Sequence, residues 1–272
     1  NQPLEEIHCH EFLSIILEKA TVQKLHRNGG PSLSYVQIDG KGPGVLYLPG
    51  FQSTMEGKKV AALEEYCRSV GHAFVRFDYS GCGTSEGDPE VVSLTEWKRD
   101  ALAVLDELTS GPQVLVGSSM GAGFAVLLGL ARPDQTAAII GISPTPDFPL
   151  SSYNQLTAKY GPPEGYRIPL TAVSEAQTQV LLAASNSAIP LSCPVRFLCP
   201  LPVVPESQSS KRVHGAWESS LSLAAAFTGT DVTVVGRKGA NLRMCGEAEL
   251  RLLTTILDDL IEALRRTSLG LF

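Results

Sequence analysis

The chain has 272 residues, 43% of them hydrophobic and 18% charged, with a net charge of -6 and a mean hydropathy of +0.07. That length supports one large α/β domain whose core needs no staple. The acidic balance, with a pI near 5.4, argues against nucleic acid and anionic membrane surfaces as partners, since both call for a basic face.

No apolar run reaches the roughly 18 residues of a membrane helix. The longest, GAGFAVLLGLA, stops at Arg132-Pro133. The six cysteines are scattered and form no CxxC pair, which reads as reduced, mostly buried thiols rather than a disulfide framework. Asn1 opens the chain, so a processed or truncated start is expected.

Taken in order, residues 10–26 (HEFLSIILEKATVQKLH) carry apolar positions at helical spacing and predict a peripheral helix. PSLSYVQIDGKG reads as an edge hairpin, and GVLYLP (44–49) as a buried strand. MEGKKVAALEEYCRSVG predicts a helix with Ala61, Ala62, Tyr66 and Val70 on one face. HAFVRFDYS is the next strand. LTEWKRDALAVLDELT follows as an amphipathic helix, with Leu94, Trp97, Ala101, Val104, Leu105 and Leu108 on one side. QVLVG, SMGAGFAVLLGLAR and AAIIGIS predict strand, helix and strand. This alternation, in units of about 30 residues, is the rhythm of a mostly parallel, doubly wound sheet with helices on both faces. Residues 144–192, rich in Pro, Tyr, Ser and Gln, interrupt it as a cap-like insertion. VRFL (195–198), WESSLSLAAAF, DVTVVG and GEAELRLLTTILDDLIEALRR resume it, while CPLPVVPESQSSKR (199–212) reads as the least structured stretch. The expected division is an N-terminal extension over 1–30 and a single domain over 31–272.

GSSMG (117–121) matches G-x-S-x-G between a strand and a helix. That pattern forms a sharp turn which strains the serine backbone and requires small neighbours. Ser119 is the expected nucleophile. The Met120 amide, at a helix N-terminus, and the Phe51 amide, in the LPGFQST loop, are the expected oxyanion donors. Asp78, in DYSGCGTSEG, is expected to satisfy loop amides. No histidine–cysteine pairs show metal-ligand spacing and no strand-linked G-x-G-x-x-G occurs, so neither metal nor organic cofactor is expected.

LYLPGF, VRFDYSGCGTSEG, W-K-R-D, VLVGSSMG and LLTTILDDLIEAL together resemble the α/β-hydrolase-domain family. Within it they are most similar to the mitochondrial palmitoyl-protein thioesterases that also act as acyl-glucuronide esterases. The likeness runs from about Pro31 to about Arg266. It implies an α/β-hydrolase fold, serine hydrolase chemistry on acylated protein or small acyl esters and thioesters, and mitochondrial residence. A monomer is expected.

In such a fold the histidine follows the last strand and the acid follows the strand before it. By resemblance the family has a histidine just before R-M, where this chain has Leu242. No aspartate follows VRFL in the family's place; Glu206 and Glu218 are the nearest acids and read as surface groups. His214, before WESSLSLAAAF, stays open between a structural His-Gly turn, an exposed residue and a relocated base. Two functions follow from this: a working serine hydrolase with its base supplied from elsewhere, or an impaired relative that binds acyl groups.

Overall fold

The computed structural model describes residues 21–51, 53–89, 93–144, 188–201, 208–268 and 270, with the backbone alone over 208–214. The N-terminal part of the helix expected over 10–26 and nearly all of the cap-like insertion lie outside these residues.

Eight strands form one sheet: β1 (Gln23–Leu25), β2 (Leu33–Ile38), β3 (Lys41–Leu48), β4 (His72–Phe77), β5 (Gln113–Ser118), β6 (Thr136–Ile142), β7 (Val195–Leu201) and β8 (Val232–Lys238). Their order is β1-β2-β4-β3-β5-β6-β7-β8. The first three strands in that order pair antiparallel, and the rest are parallel. The helices are α1 (Lys58–Val70), α2 (Leu94–Leu108), α3 (Met120–Ala131), α4 (Gln208–Ala226) and α5 (Glu247–Ser268).

The sheet is buried on both faces, as parallel sheets require. One core packs α2, α3 and α4 through Trp97, Leu105, Phe124, Leu128 and Leu223. The other packs α1 and α5 through Leu63, Cys67, Leu253 and Leu257. In α1 the buried line is Val60, Leu63 and Cys67, not the expected Ala61 and Ala62, because spacings of three and four residues bring the bulkier trio onto one stripe. The stripe expected for α2 is found, with Leu108 half-buried at its end and Asp100 buried beside it.

Three other expectations are corrected. Gln23–Leu25 are strand rather than helix, pairing with Leu33–Tyr35. PSLSYVQIDGKG is no hairpin, since β2 pairs with β4 and not with β3. α4 begins at Gln208, so His214 lies inside a helix rather than in a turn before one. The Pro-rich reading of 199–212 hid both the end of β7 and that helix start.

Every parallel strand delivers its following loop to the carboxyl edge of the sheet. Two cavities lined by described residues, of about 450 and 370 Å³, open at the opposite edge, around Gly42 and Ser110.

Candidate active site

Strand β5 ends at Ser118 and α3 starts at Met120, so one residue, Ser119, makes the whole turn. Its φ of 53° and ψ of -116° lie where L residues are strained. The surroundings leave no alternative. A Cβ on Gly117 would stand 2.1 Å from the Gly121 carbonyl oxygen, and one on Gly121 would stand 2.1 Å from that of Leu48. The strand and helix backbones cross in contact, and only glycine fits at either side. The Ser119 amide donates to the Ile142 carbonyl at 2.8 Å, which fixes the turn to β6.

Tyr47, buried on β3, bonds the Ser118 hydroxyl, and burial pushes its phenol up to about 12. The phenol stays protonated at neutral pH, and its contact with Ser118 braces the turn from the α1 side. Sequence reading missed Tyr47, because nothing in GVLYLP marks which distant hydroxyl it meets.

Phe51 lies on the loop after β3, directly against this turn. Its neighbour Gly50 would place a Cβ 3.0 Å from the Ser118 carbonyl oxygen and 3.5 Å from Ser119 Cβ. The Phe51 ring packs edge-on against Trp97, centroids 5.8 Å apart. Trp97 in turn donates from Nε1 to the Ser80 carbonyl at 2.9 Å. Met120, the first residue of α3, is 5% exposed. The structure thus gathers Ser119, Met120 and Phe51 at one point of the carboxyl edge.

Asp78 takes the structural role expected of it. Oδ1 accepts from the Met55 amide at 2.6 Å and Oδ2 from the Thr84 amide at 3.0 Å. One buried carboxylate ties the loop after β3 to the loop after β4, each of its oxygens accepting one amide.

The turn after β8 is tightly built. Asn241 accepts the Arg243 amide on its side chain at 2.9 Å and the Met244 amide on its carbonyl at 3.0 Å. Met244 holds φ 46° and is buried in the core. Lys59 Nζ, from α1, donates to the Arg243 carbonyl at 2.6 Å, and burial lowers its ammonium pKa. Leu242 sits half-buried within this turn. A side chain with no lone pair occupies the base position that the resemblance implies.

The described histidine side chains stand elsewhere. His72 opens β4 at the amino edge, with Nδ1 2.9 Å from the Pro43 carbonyl. His26 meets Ser32 Oγ at 3.1 Å, beyond β1 at the far end of the sheet. His214 is placed by its backbone in the second turn of α4. Glu218 is exposed on α4, and Glu206 lies outside the described residues. Beside the end of β7, Cys199 is raised to about 11 by burial, so its thiol stays protonated and is no base. Among the described residues no group of His, Cys, Asp and Glu is arranged to hold a metal.

Residues 45–190 match the family model described as serine aminopeptidase, S33. The chain is 37% identical to the rat mitochondrial palmitoyl-protein thioesterase ABHD10, over 93% of this chain and 86% of that protein. It is 36% identical to the human one, over 93% and 84%. The mouse α/β hydrolase domain-containing protein 10 superposes with a TM-score of 0.78 at 36% identity, covering 90% of this chain and all of that one. A putative hydrolase of Agrobacterium vitis, at 21% identity and a TM-score of 0.72, shares the fold.

Proposed function

The chain belongs to the α/β-hydrolase family, in the branch of the mitochondrial palmitoyl-protein thioesterases, and from that premise we propose that it cleaves acyl thioesters and esters with Ser119 as nucleophile. The observation that carries this reading is the Ser119 backbone at φ 53°, held between two glycines that admit no Cβ. That conformation lifts the hydroxyl clear of the strand and puts it beside the start of a helix.

Each residue has one task in the proposed mechanism. Ser119 Oγ attacks the acyl carbon. The amides of Met120 and Phe51 receive the oxygen on which negative charge develops. The Ser119 hydroxyl proton passes to the leaving thiolate or alkoxide; water then bonds to the acyl carbon as its bond to Ser119 Oγ breaks, one water proton returning to Oγ and the acyl group leaving as the carboxylic acid. Residence in mitochondria follows the relatives.

His214 is proposed as the relocated base. Losing the histidine of a serine triad costs on the order of a million-fold, yet an oxyanion hole and binding alone leave roughly a thousand-fold over water. Labelling with a fluorophosphonate probe separates these roles. The wild type is labelled and Ser119→Ala is not. His214→Ala slows labelling at least a hundred-fold if the base role holds. An unchanged rate removes His214 and leaves the nucleophile standing, while labelling of Ser119→Ala removes the nucleophile.

A further inference from the structure

The amino edge of the sheet, opposite Ser119, holds a cavity of about 370 Å³ that the proposed hydrolysis does not use. It is walled by the end of β2, the starts of β3, β4 and β5, and the last residues of α2. Its volume is at the small end of the range for ligand sites. Ile38, Ala73, Val75 and Leu108 give it an apolar side.

The charged groups on its wall are of one sign. Asp39 and Glu107 line it, and neither makes an ion pair or a side-chain hydrogen bond among the described residues. Asp106, beside Glu107, is by contrast paired with Arg132. No Lys, Arg or His among the described residues lines the cavity. α2 ends here with no basic residue in its last turn, so the negative end of its dipole adds to the two carboxylates. The amide and threonine donors on the wall are spent on backbone carbonyls: Gln37 Nε2 on that of Leu108 at 3.1 Å, and Thr109 Oγ1 on that of Leu105 at 2.7 Å.

Gln113, 2% exposed, supplies independent evidence. Its Nε2 donates to the Ser110 and Gly111 carbonyls, both at 2.9 Å, which fixes the two ends of the amide. Oε1 accepts from no described residue. A buried amide oxygen is normally paired. Nor is Oε1 sealed in: among the described residues the unpaired side-chain atoms cut off from solvent belong to Ser34, Tyr79, Asp100 and Ser143. Its open side is the cavity that Gln113 lines. Gly44, on the same wall, keeps that side clear, because a Cβ there would collide with Oε1.

We propose that this cavity binds a primary alkylammonium group, whose N–H donors meet Gln113 Oε1 and the carboxylates of Asp39 and Glu107 while its alkyl stem packs on Ile38, Val75 and Leu108. An anion would meet two like charges. A quaternary ammonium has no N–H to give to Oε1. The site stands apart from Ser119 and is independent of the hydrolytic reading.

The test titrates n-butylammonium chloride into the nitrogen-15-labelled protein at pH 7.5, with tetramethylammonium chloride at equal ionic strength as control. The resonances followed are the Gln113 side-chain amide and the Gly44 backbone amide. Both are expected to shift saturably with n-butylammonium and to stay in place with tetramethylammonium. Asp39 and Glu107 are exposed, so their neutral isosteres are compatible with the fold. Asp39→Asn combined with Glu107→Gln is expected to raise the Kd about tenfold or more. Shifts that are absent or fail to saturate overturn the site. Equal shifts with both salts reduce the effect to charge screening and overturn it too. Undiminished binding in the double variant removes the carboxylates and the proposal with them. Ser119→Ala is expected to bind n-butylammonium as the wild type does; loss of binding there would place the amine at the carboxyl edge and overturn the proposal.

Discussion

Gly117 and Gly121 are the residues where the site has no slack. In Gly121→Ala the new Cβ would stand 2.1 Å from the Leu48 carbonyl oxygen and 2.6 Å from that of Pro49. Both obstacles are backbone, so the strand and helix must part. Overpacking of this kind costs about 1–3 kcal/mol or more. Gly121→Ala is expected to lower the urea midpoint and to lose labelling of Ser119 together; normal labelling would show that the turn tolerates a wider crossing. Leu242 offers the opposite experiment. The turn around it is already rigid, so Leu242→His places an imidazole on a fixed support. Without an acid behind it, a histidine still contributes about a hundred-fold of the triad's effect. Leu242→His is expected to speed fluorophosphonate labelling by about that factor, and no gain would mean that position 242 does not face Ser119. At this scale the sequence was legible where the constraint is local: G-x-S-x-G describes a crossing of adjacent segments. Tyr47 was illegible because its meaning depends on Ser118, which another strand brings to it.

Among the elements, β1 shows how a period can mislead. The run 10–26 carries apolar positions at helical spacing, yet its end joins the sheet, because Gln23–Leu25 find an open edge on β2. The loop that follows is anchored by charge. Arg27 Nη1 lies 2.6 Å from Asp100 Oδ1 on α2, where Asp100 is fully buried and Arg27 nearly so. Asp100 Oδ2 accepts the Ser80 amide at 2.7 Å. Burial raises the Asp100 pKa, and the Ser80 amide and Arg27 oppose that rise. Removing one partner leaves the other charge buried, at a cost of about 3–5 kcal/mol. Arg27→Ala is expected to lose stability on that scale and to speed hydrogen exchange of the β1 amides. Exchange unchanged at β1 would show that strand pairing alone holds the segment. α4 was misread for a related reason: the prolines of 199–205 mask a helix that starts only three residues later, and the packing of Leu223 and Phe227 sustains it.

The whole molecule divides its labour between the two edges of one sheet. The carboxyl edge carries the turn of Ser119 and every strained residue other than glycine among those described. The amino edge carries His72, buried at 1% exposure beside Pro43. Burial lowers its pKa below 6.5, and the charges of Lys41 and Arg265 push the same way. The unfolded chain therefore binds a proton near pH 6.5 that the folded chain refuses. Stability from this residue is present above pH 6.5 and is lost as pH falls below it. Urea midpoints at pH 7.5 and pH 5 are expected to differ less in His72→Gln than in the wild type; an equal difference would assign the pH dependence to other groups. The parallel architecture was legible because strand and helix alternate so regularly. The antiparallel end was not, since pairing across β2 and β4 leaves no periodic trace. The confinement of strain to one edge also separates two kinds of inheritance. A lineage selected only to keep its shape would retain Gly117 and Gly121, which the backbone crossing enforces, and would let Ser119 relax to glycine. The serine, rather than the glycines around it, is the letter in which descendants of this chain would first record a loss of chemistry.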